Sequence, residues 1–300
     1  MKTPIIAALT VCTALWAAPR MAHAQIFVVD DGGGNQPTPL ASIGEYNFDG
    51  TTINASLLTG LSGLHGPYVM AVSGGNIFVE NSLNGTIGEY TTSGATVNAS
   101  LISGFHNIWG ITASGGDLFV ADYDPGKVGE YTTSGTPVNA SLITGLNSPY
   151  NIAVSGGDIF VGNGNSIAEY TTSGTPVNTS LISGLSGQFD FAVSGGDIFV
   201  YNRNEISEFT TSGGIVNNAL ITGLNGTPDV AVSGNDLLVA NSGSIAEYTT
   251  SGTPVNTSLI SGFGAPGLLG IVVVPVPEPS TLALAGLSGL SLLLFRRRLL

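Results

Sequence analysis

Short apolar runs alternate with glycine-rich turns along most of this chain, and the alternation repeats about every 40 residues. Each unit contains a segment of the type Ile-x-Glu-Tyr, and successive glutamates are 44, 41, 39, 39 and 39 residues apart. The repeated glutamates are Glu45, Glu89, Glu130, Glu169, Glu208 and Glu247. A helical repeat would instead place apolar residues with a period of 3.6, so the pattern predicts repeated units of β-sheet.

The fourth unit shows the plan of one repeat. Its apolar runs predict four strands, at residues 151–154, 158–161, 166–171 and 177–182. Glycine, asparagine and proline separate these runs, and they supply the backbone conformations that tight hairpins require. Four short antiparallel strands per repeat are typical of one blade of a β-propeller.

The two ends of the repeat region predict how the ring closes. The first run, at residues 26–29, matches the second strand of a repeat, and the run at residues 270–274 matches a first strand without partners. If the two runs share a sheet, no edge is left open between the first and last blades. The predicted fold class is therefore all-β, a six-bladed propeller over residues 25–274.

The first two strands of each unit resemble NHL-type repeats. Trp109-Gly110-Ile111-Thr112 and the segment from Gly116 to Asp122 follow that pattern most closely. The resemblance covers most of residues 26–274 and implies a propeller fold, but it implies no particular activity.

The carboxy-terminal segment 275–300 has three parts. Pro277, Glu278 and Pro279 precede an apolar run at residues 281–295, and Arg296, Arg297 and Arg298 follow the run. This order resembles the PEP-CTERM sorting signal of exported bacterial proteins. The resemblance implies processing by an exosortase-type membrane protease.

Fifteen apolar residues give about 22 Å of helix, which makes a minimal transmembrane helix. The arginine cluster favours the cytoplasmic side, so the preceding domain is expected outside the inner membrane. We expect transient anchoring there, followed by display at the cell surface or release. A permanent, uncleaved anchor is the alternative.

The amino-terminal segment 1–24 predicts a secretory signal peptide. Lys2 supplies a positive charge, residues 5–18 are apolar, and Ala22-His23-Ala24 forms a small-residue cleavage site. Cys12, the single cysteine of the chain, lies inside this segment. The mature domain is therefore expected to contain no disulfide and no thiolate metal site.

The charge of residues 25–274 excludes some partners. Lys127 and Arg203 are its two basic residues, against nineteen carboxylates, so the net charge is about −17. Such a surface repels phosphate backbones, and we expect no nucleic-acid partner.

No catalytic motif is evident in the chain. His65 and His106 lie in predicted loops without the spacing of a metal motif, and neither a nucleophile elbow nor a phosphate loop is present. The repeated glutamates occur once per blade, so the repeat itself explains them. We expect them to be hydrated or bonded to neighbouring hydroxyls and backbone amides, and we expect a protein that is not an enzyme.

A binding site is expected where the units differ. At one aligned position of the first strand, three neighbouring units carry Asn151, Asp190 and Asp229. If this strand lines the central channel, the three side chains cluster at its mouth. They would then either be solvated or coordinate Ca²⁺ through oxygen. The preceding position is largely aromatic, with Tyr68, Trp109, Tyr150 and Phe189. This row predicts either packing between blades or a surface for a sugar.

These observations favour an exported binding or scaffolding module, with extracellular polysaccharide as a candidate partner. A Ca²⁺-dependent propeller hydrolase or lactonase and a polysaccharide-binding lectin are the alternatives. A cluster of oxygen ligands beside a titratable base would favour the hydrolase, and an exposed aromatic row would favour the lectin.

Overall fold

The computed structural model describes residues 24–30, 41–61, 69–81, 84–187, 189–226, 229–263 and 268–274, with the side chains of 268 and 269 excepted. Residues 25–274 form one compact unit. Residues 1–23 of the predicted signal peptide, the sorting motif and the predicted carboxy-terminal helix lie outside the described residues, as do Tyr68 and His65. No helix long and apolar enough to cross a bilayer occurs in the described part of the chain.

The described residues form 24 strands. In chain order they are β1 (Gln25–Asp30), β2 (Ala41–Asn47), β3 (Thr52–Leu61), β4 (Met70–Ser73), β5 (Asn76–Asn81), β6 (Thr86–Thr91), β7 (Thr96–Ser103), β8 (Ile108–Ser114), β9 (Asp117–Asp122), β10 (Lys127–Thr132), β11 (Pro137–Thr144), β12 (Pro149–Ser155), β13 (Asp158–Asn163), β14 (Ser166–Thr171), β15 (Pro176–Ser183), β16 (Phe189–Ser194), β17 (Asp197–Asn202), β18 (Glu205–Thr210), β19 (Ile215–Thr222), β20 (Val230–Ser233), β21 (Asp236–Asn241), β22 (Ser244–Thr249), β23 (Pro254–Ser261) and β24 (Leu268–Val274).

The strands form six antiparallel sheets of four strands, which confirms the predicted six-bladed propeller. Blade 1 has the order β24-β1-β2-β3, and blades 2 to 6 follow in chain order from β4 to β23. We call the four strands of each blade a, b, c and d, from the channel outward. The a strands of neighbouring blades contact one another in a closed cycle, so they line the centre of the ring.

The ring closes as the sequence predicts. Strand β24 pairs antiparallel with β1, with Val272 opposite Phe27 and Ile271 opposite Val28. The two ends of the domain therefore share blade 1, and the open edges that would remain between the first and last blades are removed.

Six buried clusters hold the blades together, and each cluster lies between two neighbouring blades. One joins Phe199 and Tyr201 of blade 5 to Leu237 and Val239 of blade 6. Another joins Ile26 of blade 1 to blade 6, so the closing interface has a core of its own. Burying a large side chain stabilises the fold by about 1.5–3 kcal/mol, which makes these inter-blade cores the main source of stability.

Glycines at the turns between strands c and d make a second contact between blades. Each has a positive φ, and a Cβ on it would lie within 2.8 Å of a leucine carbonyl oxygen on strand d of the preceding blade. The pairs are Gly94 on Leu57, Gly135 on Leu101, Gly174 on Leu142, Gly213 on Leu181, Gly252 on Leu220 and, across the closure, Gly50 on Leu259. The turn requires glycine for two reasons, its backbone conformation and the close approach of the next blade.

The Asn-x-Ser/Thr sequences on strand d have a structural explanation. In Asn178-Thr179-Ser180 the Asn178 Oδ1 accepts a hydrogen bond of 3.1 Å from the Ser180 N–H, where the pairing of strands c and d shifts register. Blade 5 makes the same bond between Asn217 and the N–H of Ala219, which has no hydroxyl. The repeated motif therefore forms the bulge of an outer strand, and such bulges discourage edge-to-edge pairing.

We predict that Gly174→Ala destabilises the propeller more than Gly184→Ala. Both glycines have φ near +80°, but a Cβ at Gly184 would have no atom within 4 Å, whereas a Cβ at Gly174 would meet the Leu142 carbonyl. The left-handed conformation costs alanine about 1–2 kcal/mol in either variant. The contact with Leu142 adds about 1–3 kcal/mol for Gly174→Ala.

Chemical denaturation of residues 25–274 measures both costs. Equal losses of unfolding free energy in the two variants would show that the approach of neighbouring blades does not constrain the turn.

Candidate functional site

The channel residues predicted from the sequence come together in the structure. Asn151, Asp190 and Asp229 lie at the same position of strand a, or just before it, in blades 4, 5 and 6. Asn151 donates from Nδ2 to Asp190 Oδ1 and, at 3.0 Å, to the carbonyl of Phe191. The carboxyls of Asp190 and Asp229 are hydrogen-bonded to each other. We call these three side chains the channel cluster.

Each carboxyl of the channel cluster also binds the backbone of the next blade. Asp190 Oδ2 accepts from the Val230 N–H at 2.7 Å, and Asp229 Oδ2 accepts from the Ile271 N–H at 3.0 Å. Since Asn151 binds blade 5 in the same way, the cluster joins blades 4, 5, 6 and 1 in sequence. These side chains therefore connect the last blades of the ring to the blade that closes it.

The two carboxyls share a proton near neutral pH. Desolvation by the surrounding strands raises the pKa of Asp190 to about 7. Desolvation, followed by the charge of Asp190 and the hydrogen bond to it, raises the pKa of Asp229 well above its usual range. Both shifts favour a partly protonated pair near neutral pH, as expected for two adjacent carboxyls that no basic side chain of the described residues pairs with.

The donor set offers few free ligands to a calcium ion. Two carboxyl oxygens accept backbone N–H groups, and Asn151 directs its amide nitrogen rather than its oxygen towards Asp190. Calcium takes six to eight oxygen ligands. Among the described residues there is no group of three or more histidine, cysteine, aspartate or glutamate side chains that would hold a metal. Calcium coordination by the channel cluster stays a prediction.

An aromatic pocket lies beside the channel cluster, between blades 3 and 4. Its volume is about 380 Å³, and its lining consists of Trp109, Tyr123, Asn147, Ser148, Tyr150, Gly164 and Gly187. No lining side chain carries a charge. The lining residues come from the d–a loops, the b–c turns and the adjoining start of strand a, all at the same end of the sheets.

Hydrogen bonds fix the orientation of Trp109 in this aromatic pocket. Its Nε1 donates to Asn107 Oδ1 at 2.8 Å, and its ring lies 5.3 Å from that of Tyr123. The buried Asp122 Oδ1 accepts from the Asn107 N–H at 3.1 Å, and the Tyr123 N–H donates to the Asn107 carbonyl at 2.8 Å. The loop that precedes Trp109 is thus held in place by the end of strand b.

Tyr150 connects the aromatic pocket to the channel cluster. Its hydroxyl donates to the Gly164 carbonyl at 2.8 Å, and its ring packs edge-on against Phe189 at 4.9 Å. Burial raises the pKa of Tyr150, and the nearby Tyr123 and Asp190 raise it further. A change in charge at Asp190 therefore acts directly on a residue of the pocket wall.

The predicted aromatic row divides into two roles. Phe189 is 3% exposed and belongs to the core between blades 4 and 5, whereas Trp109 and Tyr150 are half-buried and line the aromatic pocket. Sequence reasoning missed Tyr123, Asn147 and Ser148 as lining residues. One signal for Tyr123 was present in the sequence. Glu89 and Glu130 are 41 residues apart, whereas later units are spaced by 39, and the two extra residues lengthen the turn that bears Tyr123 to four residues.

The repeated glutamates have partners that the sequence analysis did not specify. Glu45 accepts from Gln25 Nε2 at 2.6 Å, and Glu89 accepts from Asn76 Nδ2 at 2.7 Å. In later blades an aspartate occupies the partner position, so that Glu130 lies near Asp117. Desolvation first, and then the charge of Asp117, raises the pKa of Glu130.

Comparisons with known structures place the fold among propeller proteins. The crystal structure of a nidogen/laminin complex aligns with a TM-score of 0.67 at 14% identity, covering 84% of this chain and 98% of that chain. A streptogramin B lyase aligns with a TM-score of 0.56 at 16% identity, over 80% of this chain and 89% of that one. A gluconolactonase from Xanthomonas campestris aligns with a TM-score of 0.53 at 14% identity, over 67% and 82% of the two chains. At these identities the likeness is one of fold alone.

The sorting prediction is confirmed by a family model. Residues 275–298 match the PEP-CTERM protein-sorting motif. No curated protein matches the chain. The protein is therefore a six-bladed β-propeller with a PEP-CTERM sorting motif, which implies export, transient membrane anchoring and processing by an exosortase.

We predict that the propeller loses stability as pH rises from about 4 to above 7, and that Asp229→Asn reduces this loss. A carboxyl whose pKa is raised in the folded state binds protons there more tightly than in the unfolded chain, so its stabilisation is full below the unfolded pKa of about 3.9 and disappears as pH rises through the folded value. An asparagine at 229 still donates to Asp190 and never ionises. The variant should exceed the wild type by about 1 kcal/mol at pH 8.

Equilibrium unfolding at pH 5, 6, 7 and 8 measures this difference. Glu205→Gln is the matched control, because it removes one carboxylate at an exposed site of blade 5. Parallel curves for the wild type and Asp229→Asn would contradict proton sharing in the channel cluster.

Proposed function

We propose that the exported propeller is a non-enzymatic binding module of the extracellular matrix, and that its aromatic pocket takes a saccharide of the exopolysaccharide. The observation that carries the proposal is the half-buried pair of Trp109 and Tyr150 in an uncharged pocket of about 380 Å³. Small-ligand sites of this size are commonly aromatic, with a few convergent polar groups.

The chemistry of the pocket wall suits a sugar. The faces of Trp109 and Tyr123 offer apolar area to the C–H face of a pyranose ring, and Asn147 and Ser148 offer an amide and a hydroxyl for its hydroxyl groups. The PEP-CTERM motif supports the proposal, because it implies export, and extracellular polysaccharide is a ligand that an exported protein can encounter.

Strained backbone at the pocket supports a role in binding. Ser148 has φ of +54°, which is uncommon for a residue other than glycine. Such conformations cost of order 1–3 kcal/mol, and they occur preferentially where a site requires them. Ser148 adopts this strained conformation in the pocket wall, where it supplies a hydroxyl group.

A hydrolase or lactonase is the second candidate, and the channel cluster is the observation that favours it. A carboxyl with a pKa of about 7 can accept or donate a proton at neutral pH, and Asp190 lies close to Tyr150 of the pocket wall. Against this role, both carboxyls already bind the backbone of the next blade. We therefore assign the channel cluster to the closure of the ring and retain binding as the function.

We predict that the propeller, residues 25–274, is retained on a glycan array, and that Trp109→Ala weakens its binding to the retained glycans about tenfold or more. Loss of one aromatic platform removes both apolar contact and ring-face attraction. Trp109→Phe should keep part of the affinity. Val177→Thr, on the exposed strand d of blade 4, is the control and should bind like the wild type.

The array is run with and without EDTA, and turnover of bound glycans and of simple lactones is followed in parallel. Retention that is insensitive to EDTA, without turnover, agrees with the proposal. Retention that disappears with EDTA would indicate a metal-assisted site. Turnover that Asp190→Asn abolishes would replace binding by hydrolysis, and an array without any retained glycan would refute a saccharide ligand.

A further inference from the structure

A single arginine lies beside the aromatic pocket, and its environment differs from that of an ordinary surface cation. Arg203 belongs to the b–c turn of blade 5, directly after β17, and its side chain is exposed. Its Nε donates to Ser186 Oγ at 2.6 Å. Ser186 is the residue before Gly187, which lines the aromatic pocket.

The contact between Arg203 and the pocket wall is reinforced by a neighbour. Asn202 Nδ2 donates to the Ser186 carbonyl at 2.8 Å, so the turn of blade 5 holds both the backbone and the side chain of Ser186. The Nε of the guanidinium is thus bonded to Ser186. The two terminal NH₂ groups remain at its outer end.

Arg203 makes no ion pair with a carboxylate of the described residues, although the domain has nineteen carboxylates and two basic side chains. Within the described part of the chain, its terminal NH₂ groups make no hydrogen bond, so they can bind an added anion.

The backbone at Arg203 indicates that the side chain is retained at a cost. Its φ is +61°, and the equivalent turn positions are Gly164 at +61° in blade 4 and Ser242 at +46° in blade 6. Glycine adopts this conformation without strain, whereas arginine does not. The turn therefore keeps a positive φ in all three blades, and blade 5 carries the large cationic side chain there.

We infer that Arg203 and Ser186 form an anion subsite at the blade 5 side of the aromatic pocket, and that the saccharide bound there carries a carboxylate, as a uronic acid does. The inference rests on the proposed function, since it specifies the charge of the ligand of the same pocket. The terminal edge of a guanidinium binds a carboxylate with two parallel hydrogen bonds, and such charge-assisted bonds are stronger than neutral ones. The uncharged pocket holds one sugar ring, and the neighbouring Arg203 binds the carboxylate of that ring or of the next sugar in the chain.

The charge of the domain makes this subsite selective. A net charge of about −17 repels polyanions in general, so an acidic polysaccharide gains affinity where its carboxylate meets one of the two basic side chains, and Arg203 is the one bonded to Ser186 beside the pocket. The ester or amide of the same sugar loses this contact.

The test compares matched pairs of oligouronates and their methyl esters on one array, with sulfated oligosaccharides as a separate set, for residues 25–274 and two variants. All described contacts that close the ring fall within this segment. Arg203→Gly removes the guanidinium at a backbone position that suits glycine, and Arg203→Lys keeps the charge without the planar fork. Unfolding midpoints confirm that both variants are folded.

We expect the wild type to prefer the acid over its ester about tenfold, Arg203→Gly to lose this preference while it binds the ester like the wild type, and Arg203→Lys to be intermediate. Equal binding of acid and ester by the wild type, or an unchanged preference in Arg203→Gly, would overturn the inference and leave the proposed function intact. A preference for sulfated oligosaccharides alone would overturn the assignment to a carboxylate. If no saccharide of any kind is retained, both the inference and the proposed function fail.

Discussion

The close approach of each c–d turn to the preceding blade is the constraint on which the rest of the ring depends. Every such turn places a glycine against a leucine carbonyl of the neighbouring strand d, and Gly50 on Leu259 continues the series across the closure. The contact sets the distance between outer strands, while the buried clusters set the distance between inner ones. The contact recurs at every interface with the same sense, and the pairing of β24 with β1 closes the series into a ring.

The candidate site occurs where the repeat is broken, for a physical reason. A residue present in all six blades faces six equivalent environments and cannot define one ligand orientation. Blade 3 has a longer b–c turn than blades 4 to 6, and this turn bears Tyr123, while blade 4 contributes Tyr150 from the start of strand a. Blade 5 adds Arg203 at a turn position that is glycine in blade 4 and serine in blade 6. These three features lie in consecutive blades, so they combine into one surface.

The sequence predicted the ring well because the ring is periodic. The spacing of the glutamates gave the number of blades, and the run at 270–274 gave the closure, since a first strand without partners can only pair with the strand that lacks one. The bounds of single strands were less accurate: the first strand of blade 4 was predicted at 151–154 and extends over Pro149–Ser155. Tyr150 lies inside this strand, and its position at the pocket follows from tertiary placement rather than from the apolar pattern.

The chemistry of the site was less predictable because it depends on which side chains face each other across blades. The sequence placed Asn151, Asp190 and Asp229 in one cluster, but it could not show that each would bind the backbone of the next blade. These hydrogen bonds to the next blade change the role that can be assigned to the three side chains. A carboxyl that accepts a backbone N–H and shares a proton with its neighbour is partly neutral at physiological pH, so it adds less negative charge to the channel mouth than its residue type suggests. In a domain with nineteen carboxylates and two basic residues, proton sharing allows two acids to lie together at the centre of the ring without a basic side chain beside them. The same proton reduces the repulsion that an acidic ligand beside Tyr150 would otherwise meet.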